Sequence, residues 1–146
     1  MGICTAETER KHIASVKHIE YLLRQIQAAR LYVPPGFPGE LKSLQQCYNG
    51  IGPACWSSRF REVVTELLQR FEPEALIHDW EYTYLPKTYW SFTLANLRFL
   101  YNGIKYAIFD YGISRMTINQ VRLAICLTVL CQLFGWNGFK KTEFEK

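Results

Sequence analysis

The chain has 146 residues, of which 49% are apolar and 21% are charged, and its formal net charge is +4. A chain of this length forms one domain, and its apolar content excludes a disordered tail protein, because disordered chains bury too little apolar surface to fold. The small net charge, with no basic run longer than Lys140–Lys141, excludes a nucleic-acid binder that relies on electrostatic attraction.

The N-terminus and the cysteines indicate the cellular compartment. Residues 1–11 contain four charged side chains and no apolar stretch, so the sequence predicts no secretory signal. The cysteines are odd in number and lack the paired CxxC spacing of a zinc site; they are Cys4, Cys47, Cys55, Cys126 and Cys131. We therefore expect a reducing cytoplasm or a virion-associated location.

The first predicted helix runs from Thr8 to about Tyr32. Its apolar residues recur at steps of three and four, the spacing of one helix face, whereas His12 and His18 lie on the polar side and are expected to be solvated. The segment 33–39, rich in proline and glycine, then stops regular structure, and we expect a loop from there to Cys47.

Two further helices are predicted in the middle of the chain. A serine can cap a second helix that runs from Ser57 or Ser58 to Phe71. A third helix is predicted from Pro73 to about Tyr84, because proline fits a first turn, where no amide donor is missed. Pro86 follows and prevents the helix from continuing.

The last two predicted helices fill the C-terminal part. Ser91 is the expected cap of a fourth helix that runs to about Tyr111 and is closed by a glycine. Thr117 and Gln120 form a capping box for a fifth helix, which ends near Gly135. Because strand signals are nearly absent, we expect a mainly α, compact domain of five helices with one long ordered loop.

The fifth helix contains an apolar run from Leu123 to Leu133, interrupted by Gln132. The run is too short to span a bilayer, which needs about 20 apolar residues. We expect a buried core helix, with Cys126 and Cys131 in the core, and keep a membrane-surface helix as the alternative.

Two short motifs contain residues suited to chemistry. In the first, Tyr48-Asn49-Gly50-Ile51-Gly52, alternating glycines let the backbone turn carbonyls toward a cation or amides toward an anion. A simple turn before Pro53 is the other interpretation. The second motif is His78-Asp79-Trp80-Glu81-Tyr82, in which His78 and Tyr82 share a helix face and Asp79 is turned away by about 100°. A capping or surface pair is the alternative there.

Together the two motifs resemble the phospholipase A2 superfamily, in particular its compact, disulfide-poor members in parvoviral capsid proteins and in phage or prophage proteins. The resemblance covers residues 47–102 as a phospholipase A2-like core. It leaves outside an N-terminal helix and loop, residues 1–46, and a C-terminal helical part, residues 103–146, within a single domain of residues 1–146. It implies a central antiparallel helix pair, a glycine-containing Ca²⁺ loop, and hydrolysis of the sn-2 ester of a phospholipid at a membrane surface.

The resemblance also implies roles for particular residues. Tyr48, Gly50 and Gly52 match the positions that donate backbone carbonyls to Ca²⁺, and Asp79 matches the carboxylate that completes the ligand set. His78 matches the general base that takes a proton from the attacking water. The amide of Gly50 matches a donor to the developing oxyanion.

The remaining two matches concern the orientation of the histidine. Tyr82 matches a tyrosine that braces the partner of His78, and Asn96 stands where the family has an aspartate. An asparagine carbonyl accepts the imidazole N–H but supplies no negative charge to an imidazolium. This departure, with the missing disulfides, leaves a rival prediction: a catalytically weak or inactive fold that serves as a phage structural or host-interaction binding module.

The four tryptophans have two interpretations. They are expected to form an interfacial ring around a lipid cleft, because an indole suits a boundary between water and an apolar phase. Packing in the core is the equal alternative for each. They are Trp56, Trp80, Trp90 and Trp136.

Overall fold

A computed structural model describes residues 15–37, 40–48 and 68–141 of the chain. The described part is mainly helical and contains no strand, which confirms the predicted fold class at this level. Its α-helices are α1 (Val16–Ala28), α2 (Leu41–Cys47), α3 (Glu72–Tyr84), α4 (Tyr89–Tyr111), α5 (Arg115–Phe134) and α6 (Trp136–Lys141). One 3₁₀ turn, Gln69–Phe71, leads into α3.

Helix α1 is the described part of the first predicted helix. Ser15 caps it by accepting a hydrogen bond from the His18 amide at 3.2 Å, and the predicted start at Thr8 lies outside the described residues. The buried face consists of Ile19, Leu22 and Ile26, as the periodicity indicates. The chain then leaves the helix through Arg30, whose φ of 51° breaks the helical conformation.

Helix α2 corrects the prediction of a continuous loop as far as Cys47. The described proline segment, residues 31–37, lacks regular structure. The seven residues Leu41–Cys47, which were expected to belong to the same loop, form a helix. So short a helix is marginal by itself, because nucleation is unfavourable. Here Leu44 and Cys47, three residues apart, are buried against α1 and α3, and this packing stabilises the helix.

Helix α3 agrees with the prediction within one residue, with Pro73 in its first turn. Most of the predicted second helix, residues 57–67, lies outside the described residues. Helix α4 begins two residues before the predicted cap, because the Thr88 hydroxyl accepts from the Ser91 amide at 3.1 Å. It ends at Gly112, whose φ of 60° favours glycine.

Helix α5 begins earlier than predicted and is followed by a helix that was not expected. Ser114, rather than Thr117, caps α5, and the Thr117 side chain donates to the Gly112 carbonyl instead. Gly135 was expected to end the helical structure, but its backbone keeps helical dihedral angles and the short α6 follows at once. Phe139 of α6 is fully buried against the Phe92 and Tyr82 rings.

The core consists of two clusters of buried apolar residues. One lies between α1, α2, α3 and the segment 29–37, and includes Leu22, Leu44 and Leu76. The other joins α3, α4 and α5 through Phe71, Phe99 and Ala124. Helix α4 therefore packs against α3 on one side and α5 on another.

The prediction of a buried core helix for Leu123–Leu133 is wrong. Only 17% of the most apolar window of α5 is buried, and α5 is the one helix of the described part that is long and apolar enough to cross a membrane by length and composition. Its buried residues are Thr117, Ala124 and Thr128, all on the side that faces α4. Cys126 is exposed and Cys131 is half-buried, so neither is a fully enclosed core residue.

Candidate functional site

The candidate site is built around His78, near the middle of α3. Its side chain is buried, with 8% exposure, because α4 covers this face of the helix. The imidazole packs on the Tyr82 ring one turn later, with 4.1 Å between ring centroids, and on the Phe99 ring of α4 at 5.1 Å. Two aromatic contacts from different helices fix the plane of the imidazole.

Asn96 of α4 is the hydrogen-bond partner of His78. Its side-chain oxygen Oδ1 lies 2.8 Å from His78 Nε2, and it also accepts a hydrogen bond from the Tyr82 hydroxyl at 2.8 Å. Asn96 is buried, with 1% exposure. The structure thus brings together three residues predicted for the site, His78, Tyr82 and Asn96, at a single oxygen atom.

The network continues into α5 through Gln132. Asn96 Nδ2 donates to Gln132 Oε1 at 2.8 Å, and Gln132 Nε2 donates to the Tyr89 hydroxyl at 3.1 Å and to Thr93 Oγ1 at 3.2 Å. The sequence analysis assigned no role to Gln132. The available signal was a lone amide inside an apolar run, which needs a polar partner when it is even partly buried.

The network fixes which nitrogen of His78 carries the proton. Asn96 Oδ1 accepts from Tyr82 while Asn96 Nδ2 donates to Gln132, so the atom that faces His78 is an acceptor. Nε2 therefore carries the hydrogen, and Nδ1 of the neutral ring keeps its lone pair. Burial lowers the pKa of His78 to about 4, and the hydrogen bond to Asn96 offsets only part of that effect.

The resulting group is a neutral, oriented imidazole with Nδ1 available as a proton acceptor. Such a group is a candidate general base, which needs a fixed tautomer and a free lone pair. Its low pKa makes it a weak one, because no negative charge beside Nε2 stabilises the imidazolium. Whether His78 acts as a base stays a prediction.

Tyr48 and Asp79 are the two described members of the predicted Ca²⁺ ligand set. Tyr48 directly follows α2 in extended conformation and is buried. Burial raises the pKa of its hydroxyl, and the negative charges of Glu72 and Asp79 raise it further. Asp79 also adds to the raised pKa of Cys47, about 12, for which burial is the larger cause. Besides burial, the Asp79 charge also raises the pKa of Tyr82 and of Cys131 on α5, so it does not act on the end of α2 alone.

The other two predicted ligands, Gly50 and Gly52, lie outside the described residues, as does the oxyanion donor assigned to Gly50. Within the described ranges no group of three or more His, Cys, Asp or Glu side chains is placed to hold a metal ion. A site built largely from backbone carbonyls does not need such a group. The Ca²⁺ site therefore stays a prediction.

Several other side chains differ from expectation. His18 is not simply solvated, because its Nε2 lies 3.1 Å from Glu72 Oε2; His12 lies outside the described residues. Trp80 is buried against the Phe37 ring, whereas Trp90 is 69% exposed. Trp136 packs on the Phe139 ring, so the described tryptophans do not form one ring around a cleft.

Comparison with known proteins finds no matching family model, no similar curated protein and no similar solved structure.

Proposed function

We propose that the chain is a Ca²⁺-dependent, phospholipase A2-like hydrolase of phospholipid sn-2 esters in which His78 is the general base. The observation that carries this proposal is the convergence of His78 Nε2 and the Tyr82 hydroxyl on Asn96 Oδ1, each at 2.8 Å. The resemblance assigns these three residues to one site, and Asn96 comes from a different helix 18 positions later in the chain.

The arrangement of α3 and α4 supports the proposed central antiparallel pair. Contacts between the two helices run in opposite directions along the chain: His78 lies against Phe99, and Tyr82, one turn later, lies against Phe92. Only residues 85–88 separate the helices. A connection this short is typical of an antiparallel helical hairpin.

Within the proposed reaction, the side chains of this chain have separable tasks. His78 Nδ1 takes a proton from the water that attacks the ester carbonyl. Asn96 holds the Nε2–H tautomer and thereby keeps the Nδ1 lone pair available. Tyr82 and the Gln132 side chain hold the Asn96 amide in its orientation through hydrogen bonds on both of its ends.

The proposed Ca²⁺ would be held by the carbonyls of Tyr48, Gly50 and Gly52 and by the Asp79 carboxylate. The negative charge of Asp79 acts on buried Tyr48 and on Cys47, and this supports the assignment because Ca²⁺ prefers hard oxygen ligands. A bound Ca²⁺ supplies positive charge to an ester oxygen that becomes negative during hydrolysis.

Hydrolysis of phosphatidylcholine in mixed micelles tests the proposal. Fatty acid release in millimolar Ca²⁺ is expected for the native chain, and it is expected to stop with a chelator or with His78→Gln. His12→Gln is the matched control, because it removes a histidine that lies outside residues 47–102 and has no place in the proposed reaction. Equal hydrolysis by the two variants, or none by the native chain, contradicts the proposal.

The second candidate function is a binding module that keeps the fold without turnover. The neutral Asn96 favours it, together with the pKa of about 4 at His78, because both weaken a general base. Calorimetric titration with Ca²⁺ and micelle binding separate the two. Ca²⁺ binding that is lost in Asp79→Ala, with lipid binding but no fatty acid release, is the expected result for the module.

A further inference from the structure

The outer side of α4 and α5 exposes many large apolar residues. On α5, Ile125, Val129 and Leu133 follow each other at steps of four residues, so they form one stripe, and each is about half exposed or more. On α4, Trp90, Leu97 and Tyr101 form a second exposed stripe. We call these six residues the outer face.

The two stripes lie on the same side of the helix pair. Gln132 neighbours Val129 and Leu133 around α5, and it donates hydrogen bonds to Tyr89 and Thr93 of α4. Those α4 residues flank the stripe that contains Trp90 and Leu97. The outer face is therefore a continuous surface across α4 and α5.

The charged residues beside the apolar stripe of α5 are Arg115 and Arg122, whereas three of its polar side chains bond within the fold. Thr117 donates to the Gly112 carbonyl, Thr128 donates to the Ala124 carbonyl, and Gln132 bonds α4. Soluble monomers rarely expose a large continuous apolar patch, and such patches mark contact with a partner or a membrane. An amphipathic helix that lies on a bilayer has this distribution.

The charge of the same region identifies the kind of partner. Residues 89–141 contain six basic residues and one acidic residue, Asp110. Asp110 bonds Arg70 and Arg98 bonds Glu81, so the charges of both residues are already compensated. Arg115 and Arg122 are exposed on the same side of α5 as Val129, and no acidic partner for them occurs in the described part. Arginine can extend its charged end to lipid phosphates while its stem stays in an apolar layer.

We propose that the outer face of α4 and α5 docks on the surface of an anionic lipid bilayer, with both helices lying in the plane of the membrane. The apolar stripes enter the boundary between headgroups and acyl chains, and Arg115 and Arg122 contact anionic headgroups. Half of the outer face, the α5 stripe, lies outside residues 47–102, and the proposal does not depend on the hydrolase.

Two other occupants fit the structure less well. If α5 spanned a bilayer, Arg122 would lie in the hydrocarbon layer. Helix α4 is hydrogen-bonded to α5 and would enter the bilayer with it, together with the charged side chains of Arg98, Lys105 and Asp110. A two-fold dimer through the outer face would bring the arginines of two copies together, because such an interface pairs a surface with itself. The one acidic residue of the region, Asp110, is already paired with Arg70, so no carboxylate there would neutralise the arginines of the two copies.

Docking on this face would also bring lipid close to the candidate site. The exposed Tyr89 accepts from Gln132, and Gln132 accepts from Asn96, the partner of His78. Tyr89, which lies beside the outer face, is thus connected to the imidazole by three successive hydrogen bonds.

Flotation of the full chain with lipid vesicles in a metal chelator tests the docking without turnover. We expect binding to equimolar phosphatidylcholine–phosphatidylglycerol vesicles and weaker binding to pure phosphatidylcholine. Val129→Gln/Leu133→Gln is expected to lower binding by about tenfold. Val16→Gln/Leu41→Gln is the matched control, because it changes the same residue types at exposed positions on α1 and α2 and is expected to keep native binding.

A second pair of variants tests the charges. Arg115→Gln/Arg122→Gln is expected to lower binding to the anionic vesicles by about tenfold and to reduce the preference over neutral vesicles. Absence of binding to anionic vesicles, or equal losses in the outer-face and control variants, overturns the proposal. Resistance to alkaline extraction overturns it in favour of a spanning helix. A dimer that Val129→Gln/Leu133→Gln disrupts, without vesicle binding, overturns it in favour of a second copy.

Discussion

Asn96 Oδ1 accepts hydrogen bonds from both His78 and Tyr82, and it lies 2.8 Å from each donor atom. The oxygen therefore has both of its acceptor positions filled, and the amide nitrogen is bonded to Gln132. An aspartate at this position would offer the same acceptor geometry with a negative charge. In the proposed reaction, the missing charge at this position leaves His78 an oriented but weak base.

The first prediction is that Asn96→Asp raises the pKa of His78 from its value of about 4. A carboxylate within hydrogen-bond distance of an imidazole favours the charged ring, and we expect a rise of about 1 to 3 pH units. The Gln132 amide can turn to donate to the new carboxylate, so the network stays bonded. Titration of the His78 ring signals by NMR measures the change.

Asn119→Asp is the matched control for that titration. Asn119 is an exposed asparagine of α5, outside the hydrogen-bond network around His78. The variant adds the same charge at the surface and is expected to leave the His78 titration close to native. Equal titration curves in the two variants would show that Asn96 does not set the environment of His78.

The second prediction compares two ways to break the network. Tyr82→Phe removes one donor and leaves Asn96 Oδ1 bonded to His78, so we expect a loss of about 1 kcal/mol in the free energy of unfolding. Asn96→Leu leaves His78 Nε2, the Tyr82 hydroxyl and Gln132 without their partner, and we expect a loss of about 3 kcal/mol or more. Urea unfolding measures both, and similar losses would contradict a shared network.

The sequence predicted the local part of the site and missed the part that depends on packing. His78 and Tyr82 are four residues apart, so their common face follows from helix geometry alone. The hydrogen bond from Asn96 to Gln132 joins residues 36 positions apart, and no local pattern indicates it. Asn96 itself was assigned through the resemblance and not through spacing.

The same difference explains the errors in the fold. Helices α3 and α4 have strong local signals in Pro73, Pro86 and Gly112, and they lie close to where they were predicted. Helix α2 has only seven residues and depends on burial of Leu44, which sequence periodicity does not reveal. The exposure of α5 was misjudged because length and apolar content do not tell how many neighbours cover a helix.

The third prediction concerns the contact between α4 and α5. A Cβ atom at Gly103 would lie 3.1 Å from the Ala124 Cβ, 3.6 Å from the Phe71 ring and 3.7 Å from Glu74. Gly103→Val is therefore expected to force the helices apart and to lower the free energy of unfolding by about 1 to 3 kcal/mol. Gly138→Val in α6 is the control, because nothing lies within 4 Å of its added Cβ. Thermal unfolding at one pH compares them, and equal stabilities would contradict close packing.

The fourth prediction depends on Glu74, a carboxyl that is 1% exposed beside this contact. Neither of its oxygens has a hydrogen-bond partner on another residue of the described part. Burial raises its pKa to about 8, and its own backbone amide offsets only part of the rise. Arg70, which lines the same small pocket, is bonded to Asp110 and does not neutralise Glu74.

Because the pKa of Glu74 is higher in the folded chain than its ordinary value of 4.5, the folded state holds a proton that the unfolded state releases. Stability is therefore expected to fall as pH rises from about 4.5 to about 8. His78, with its pKa lowered from 6.5 to about 4, has the opposite effect, but only below pH 6.5. Glu81, whose pKa burial raises from 4.5 to about 7, has the same effect as Glu74 below pH 7. Between pH 7 and 8 we therefore expect the native chain to lose about 1 kcal/mol through Glu74. Glu74→Gln is expected to remove this loss of stability, whereas Glu20→Gln, at an exposed position, is expected to keep it. Urea unfolding at both pH values measures the loss in each variant. If Glu74→Gln loses as much stability as the native chain, Glu74 is charged in the folded state.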